Sequence, residues 1–195
     1  MSTLSYDPEN LLLFDKWTTE ECSIADSGLQ RYITIKASFV LHNFGRNANK
    51  RFGKAETHIV ERFINRLMKS GKNAGKKHLL YNVVKHAFDL IHARTSQNPL
   101  QIFLTALNYA APREETTRIS YGGIVYHTSV DTAPQRRVDL ALSYLATGAS
   151  RAAFNNVKTL EECVADELLL AARNDTKAYS VKRKLEIERV ARSAR

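Results

Sequence analysis

The first periodic signal along the chain lies at residues 59–68. Ile59, Val60, Phe63, Ile64, Leu67 and Met68 recur there at three- and four-residue spacing, which predicts a helix with one buried face. Glu61, Arg62, Arg66 and Lys69 occupy its other face. After a break at Ser70, Gly71, Lys72 and Asn73, the pattern returns with Leu79, Leu80, Val83, Val84, Ala87, Phe88 and Ile91. The two segments predict a helical hairpin. Asn98 followed by Pro99 supplies an N-cap and a proline at the first helical position. A third helix is therefore expected, with Leu100, Phe103, Leu104 and Leu107 inward and its end marked by Pro112.

From Arg118 the period changes. Short β-prone runs at 118–121 and 124–130 flank Gly122 and Gly123, a two-residue turn signal for one β-hairpin. Pro134 opens a fourth helix (Val138, Ala141, Leu142, Leu145) that is expected to close at Thr147 and Gly148. Thr159 with Glu162 forms a capping box for a helix with Leu160, Cys163, Val164, Leu168 and Ala171 inward, and a last helix runs from near Ser180 into a basic terminus. The expected fold class is mainly α: a bundle of about six helices with one protruding β-hairpin at 117–131. All 195 residues are expected to form a single domain, with 1–30 an acidic N-terminal segment.

Charge adds a direction. The net charge is +9, but residues 1–30 hold six acids and one base, so the remainder carries 28 bases against 14 acids. A body at +14 suits a polyphosphate partner, because Lys and Arg displace condensed counterions from it. Cys22 and Cys163 stand far apart in no metal-ligand spacing, so reduced, buried thiols are expected, with neither zinc nor a disulfide framework. No apolar run approaches the roughly 20 residues of a membrane span. The opening residues lack the basic and apolar regions of a secretion signal, and a cytoplasmic protein with no membrane partner is expected.

Three constellations fit RNA. Residues 42–54 contain Arg46, Lys50, Arg51 and Lys54 without an acid, interleaved with asparagines, glycine and Phe52. Bases neutralise phosphate, amides bond phosphate or sugar, and Phe52 can stack on an unpaired base; a solvated basic loop has the same composition. Lys69, Lys72, Lys76 and Lys77 crowd one interhelical turn, where their mutual repulsion is relieved by an anionic partner. The P-loop spacing fails there, since Lys77 stands where a hydroxyl residue is needed. The hairpin has basic flanks (Arg113, Arg118, Arg136, Arg137) and carries Tyr121, Tyr126 and His127. An isolated two-stranded ribbon is marginal in water and needs something to lie against, although the same aromatics would also serve to cover the bundle. His78, His86 and His92 match no metal-pair interval, and no nucleophile elbow occurs. Asp166 and Glu167 are read as a solvated helix face partnered by bases such as Arg173. Neither a catalytic centre nor a cofactor is expected. A helix-turn-helix DNA regulator is the competing binding class, weakened by the Lys-rich turn and the dispersed basic patches.

Several ordered motifs resemble the universal small-subunit ribosomal protein seven family. They are Lys50-Arg51-Phe52-Gly53-Lys54-Ala55, Ile59-Val60-Glu61-Arg62, Gly75-Lys76-Lys77, Asn98-Pro99, Ala111-Pro112-Arg113-Glu114, the 118–130 stretch, Pro134-Gln135-Arg136-Arg137-Val138, Ala165-Asp166-Glu167 and Glu188-Arg189-Val190-Ala191-Arg192. Leu13-Phe14-Asp15-Lys16-Trp17 and Gly122-Gly123-Ile124-Val125-Tyr126 look like the archaeal and eukaryotic branch, on its archaeal side. The resemblance implies a primary binder of the 3′ major domain of small-subunit rRNA that nucleates head assembly, beside the mRNA exit path and the tRNA exit site. It implies that Arg46, Lys50, Arg51, Lys54 and the 72–77 turn face rRNA. The hairpin (Tyr121, Gly122, Gly123, Tyr126, His127) and the terminal Lys182, Arg183, Lys184, Arg189, Arg192 and Arg195 would then approach mRNA and exit-site tRNA. Neighbouring head and platform proteins are the other implied partners.

Overall fold

The computed structural model describes residues 11–36, 38, 40–68 and 71–195. Among these, seven α-helices and one antiparallel ribbon follow in the order α1 (Ser27–Gln30), α2 (Ile59–Leu67), α3 (Lys77–Thr95), α4 (Pro99–Ala110), β1 (Glu114–Tyr121), β2 (Ile124–Asp131), α5 (Pro134–Ala153), α6 (Leu160–Ala172) and α7 (Tyr179–Ser193). The mainly helical reading with one hairpin holds; the helix beyond the expected six is the four-residue α1, capped by Asp26. Helix α6 packs against α3, α4 and α5, α2 rests on α5 and α3, and α7 crosses from α5 to the foot of the ribbon.

The predicted inward faces are the core. Phe63, Phe88 and Phe103 are almost fully buried, with ring centroids 5.2 Å (Phe63 to Phe103) and 6.3 Å (Phe88 to Phe103) apart, the tilted spacing aromatic pairs prefer. Phe14, from the acidic segment, meets Phe88 edge-on at 5.7 Å. The described part of that segment is therefore docked, and Lys16 reaches Asp89 at 2.9 Å while the Gln101 side chain accepts from Ser23 N–H at 2.9 Å.

Two local expectations need correction. Helix α5 does not close at Thr147 and Gly148 but runs on to Ala153, with Gly148 buried in its interior. A Cβ there would meet the Glu167 carboxyl at 2.9 Å, so the glycine accepts a helix-propensity cost of about 1 kcal/mol to let α6 and α7 approach. Glu167, in turn, is not a solvated residue. It is 8% exposed and accepts from the Ser180 N–H (2.9 Å), the Ser180 hydroxyl (2.7 Å) and the Tyr179 N–H (3.3 Å), capping the open N-terminus of α7 from another helix. Asp166 is the half that meets bases, Arg94 at 2.5 Å and Lys158 at 2.8 Å in place of Arg173. Replacing Glu167 with alanine is expected to cost about 2–3 kcal/mol, because a buried hydroxyl and two helix N–H groups lose their acceptor. Chemical denaturation checks this; an unchanged midpoint would mean that solvent satisfies those donors.

Candidate nucleic-acid interface

The basic loop at 42–54 is built from below by one buried carboxylate. Glu61 on α2 is 4% exposed and accepts from the Asn43 backbone N–H at 3.0 and 3.1 Å and from the Lys77 ammonium at 2.6 Å. It therefore fastens the loop to the start of α3. Gly53 is a second fixed point: a Cβ would lie 2.4 Å from the Asn47 carbonyl. Phe44, Gly45 and Phe52 have left-handed backbone (φ 50°, 74° and 59°), turning the chain so that the rings of Phe44 (70% exposed) and Phe52 (58% exposed) stand outward. The Arg51 guanidinium lies 5.5 Å from the Phe52 ring centre. Arg46 and Arg51 are exposed and form no ion pair among the described residues, and Lys50 only a 3.7 Å one with Glu56. Phe52 emerges as sequence composition suggests; Phe44 has no such signal, since exposure of an aromatic leaves no periodic trace.

Lys54 is committed inward, to Asp139. Asp139 also accepts from Arg62 at 3.1 Å and lies 3.6 Å from Arg66. Burial alone would raise this carboxyl's pKa, but the hydrogen bonds and charges of Lys54 and Arg62 outweigh it and hold it below the usual 3.8.

The interhelical turn is less crowded than its sequence suggests. Lys77 is neutralised by Glu61, and the Lys72 ammonium sits 4.3 Å over the Phe154 ring, while Lys76 is exposed at the N-cap of α3. Lys69 lies outside the described residues.

The ribbon pairs Glu114 with Asp131 through Tyr121 with Ile124, so its strands are longer at the base than the predicted 118–121 and 124–130. Glu114, Glu115, Thr116 and Thr117 give no apolar alternation, yet they are half-buried beside α7. Gly122 and Gly123 both have positive φ (59° and 81°), as a twist-matched two-residue turn requires. Alternation with this register sorts the outer half into two faces: Ile119, Tyr121, Ile124 and Tyr126 on one, Arg118, Ser120, Val125 and His127 on the other. All eight are exposed.

The flanking arginines divide in role. Arg137 is only 12% exposed in its side chain, pairing with Asp26 at 3.0 Å and donating to the Pro112 carbonyl at 3.2 Å; Arg136 holds Glu115 at 2.6 Å. Both fix the ribbon's base. Arg113 is exposed, its backbone N–H on Glu188 at 3.0 Å. On α7, Lys182, Arg189 and Arg192 are exposed without ion pairs among the described residues, and Arg183 pairs with Glu186 at 2.9 Å. Lys184 is half-buried; burial lowers its pKa and the nearby Arg113 and Arg137 add to that, against Glu188. Arg195 binds Glu114, and the Ser129 N–H donates to the Ala194 carbonyl at 3.3 Å.

Among the described residues no group of three or more His, Cys, Asp or Glu could hold a metal ion, and no helix is long and apolar enough to cross a membrane. Cys22 is half-buried and Cys163 buried, both as free thiols. His58, the most perturbed imidazole, is pushed down to about 4 by burial and accepts from the Val60 N–H at 3.2 Å, capping α2.

Exposed cations and aromatic rings on elements anchored by buried carboxylates are the features that suit an RNA-binding protein. The family model described as "Ribosomal protein S7p/S5e" matches residues 29–195, and the chain belongs to that family. It is similar to "Small ribosomal subunit protein uS7" of Methanothermobacter thermautotrophicus, at 48% identity over 183 residues (94% of this chain, 98% of the relative). The protein of the same name from Archaeoglobus fulgidus is 46% identical over 190 residues (97% of this chain, 98% of the relative). The chain is thus a structural constituent of the small ribosomal subunit, of archaeal type, and not an enzyme.

Proposed function

We propose that the chain is a primary binder of the 3′ major domain of small-subunit rRNA, nucleating assembly of the head. Its ribbon and C-terminal helix then face the mRNA exit path and the tRNA exit site, beside other head and platform proteins in a cytoplasmic ribosome. The observation that carries this reading is the Glu61 junction. One buried carboxylate ties Asn43 of the basic loop to Lys77 of the lysine turn, so both rRNA-gripping elements form one surface held in fixed register. The ribbon and α7 form a second surface, joined through Ser129, Ala194, Glu114 and Arg195.

Binding of the full chain to a transcript of the 3′ major domain, compared with duplex DNA of equal length, tests the first surface. A preference for the rRNA is expected; equal affinities would sink the reading and favour a DNA-binding regulator. For the second surface, deleting residues 121–126 is expected to leave stability within about 0.5 kcal/mol, since every residue removed is exposed. Ribosomes carrying this deletion are expected to lose reading-frame accuracy or retention of exit-site tRNA. Normal frame maintenance and tRNA retention would remove the ribbon from that role.

A further inference from the structure

A groove of about 920 Å³ lies between the turn after α2 and the last turns of α5, and none of the exposed elements described so far accounts for it. Its lining contains three cations, Arg66, Lys72 and Arg151, together with the hydroxyls of Thr147 and Ser150, and no carboxylate among the described residues. At its mouth Phe154 is 65% exposed, held at the C-cap of α5 by its N–H on the Arg151 carbonyl (3.3 Å). The ring is outside the buried core. Among the described residues, Lys72, 4.3 Å above that ring, has no carboxylate partner, and Arg151 meets Tyr179, whose hydroxyl accepts from it at 3.1 Å.

We infer that this groove receives a single nucleotide turned out of the rRNA strand, its base stacked on Phe154 and its phosphate met by Lys72, Arg151 and Arg66. The inference rests on the proposed rRNA binding and adds a seat within it. The volume falls within the about 300–1,000 Å³ of clefts that enclose small ligands. The chemistry divides as a nucleotide does, with an aromatic face for the base and hydroxyls and cations for sugar and phosphate; Lys72 and Arg151 have no acid partner among the described residues, while Arg66 shares Asp139 at 3.6 Å. The lining has no acid among the described residues to repel a polyanion, and Ala146, Ala153, Phe154 and Leu160 give it an apolar part for the base. By contrast, the hollow beneath the 42–54 loop mixes Glu56 and Glu61 with Lys36 and Arg46, so its lining lacks the acid-free character of this groove.

The test uses the full chain and the 3′ major-domain transcript at one salt concentration. Phe154→Ala and Phe154→Leu are each expected to weaken binding by about five- to 150-fold, the range for loss of one stacked base, while Phe154→Trp preserves it. The exposed position leaves the core untouched, and a thermal melt verifies that. Unchanged affinity in the alanine variant, or full rescue by leucine, overturns the stacked nucleotide. Failure of the wild-type chain to prefer rRNA over DNA would instead indict the underlying rRNA reading. A photoreactive phenylalanine analogue at position 154, irradiated in intact small subunits, is expected to yield an RNA adduct; a protein adduct overturns the inference.

Discussion

Asp139→Ala is expected to destabilise the protein by about 3–5 kcal/mol, the usual penalty for removing one partner of a buried ion pair. Arg62 is 6% exposed; its other hydrogen bond goes to the Tyr32 carbonyl at 2.7 Å, which leaves its charge uncompensated once the carboxylate is gone. Lys54 and Arg66 lose the same partner, so like charges gather around the vacated position. Urea denaturation gives the midpoint, and a variant as stable as the wild type would show that solvent reaches Arg62. The pH dependence has a fixed sign. A carboxyl whose folded pKa is held below its unfolded value near 3.8 contributes stability that is complete above that value. It is lost as pH falls through the folded pKa. Wild-type stability should therefore fall in the acid range below about 4, with this contribution to the fall absent in the alanine variant.

The second large effect is on affinity. If about six to ten phosphates are engaged, binding to the rRNA domain should fall by roughly three to five decades between about 50 and 200 mM salt. Exposure and freedom from ion pairs predict which residues set that slope. Arg46, Arg51 and Lys76 are exposed and form no ion pair among the described residues, so each replaced by alanine should reduce the slope by about one phosphate contact. Arg137→Ala should behave differently, because that guanidinium already serves Asp26 and Pro112: stability falls and the salt slope stays. Titrations at four salt concentrations, paired with melts, separate the two groups. A flat salt response in the wild type would end the electrostatic mechanism, and a slope change in Arg137→Ala equal to that of Arg46→Ala would erase the distinction.

That distinction marks where sequence reading stops. Helices announced themselves because apolar side chains must recur every three to four residues to share a core, and the Thr159 and Glu162 box names its own geometry. The basic elements were visible because charge excess is compositional. Hidden from the sequence was every partner brought from afar: Asp26 for Arg137, Glu61 for Lys77, Asp139 for Lys54. Of two adjacent acids, Asp166 meets cations at the surface and Glu167 caps a distant helix, and only the packing of α5, α6 and α7 decides between them. Gly148 misled for the same reason, since a glycine that ends a helix and one that lets a neighbour close in look alike until the neighbour is known. Phe52 is legible because it sits inside an acid-free basic run, whereas the outward rings of Phe44 and Phe154 leave no periodic trace.

The ribbon's two halves live in different mechanical conditions. The inner part of β1 is half-buried beside α7 and clamped by Arg136 and Arg195, and the adjoining β2 is held through Ser129 on the Ala194 carbonyl, while the outer four residues of β1 stand free. At about 3.3 Å per residue that free arm is roughly 13 Å long, a short cantilever whose stiffness is set at its mount. Loosening the mount, by mutating Glu114 or Arg195 or by screening their attraction, would let Tyr121 sweep a wider arc with its own sequence unchanged. The reach of the tip is therefore governed by residues that never touch what it touches.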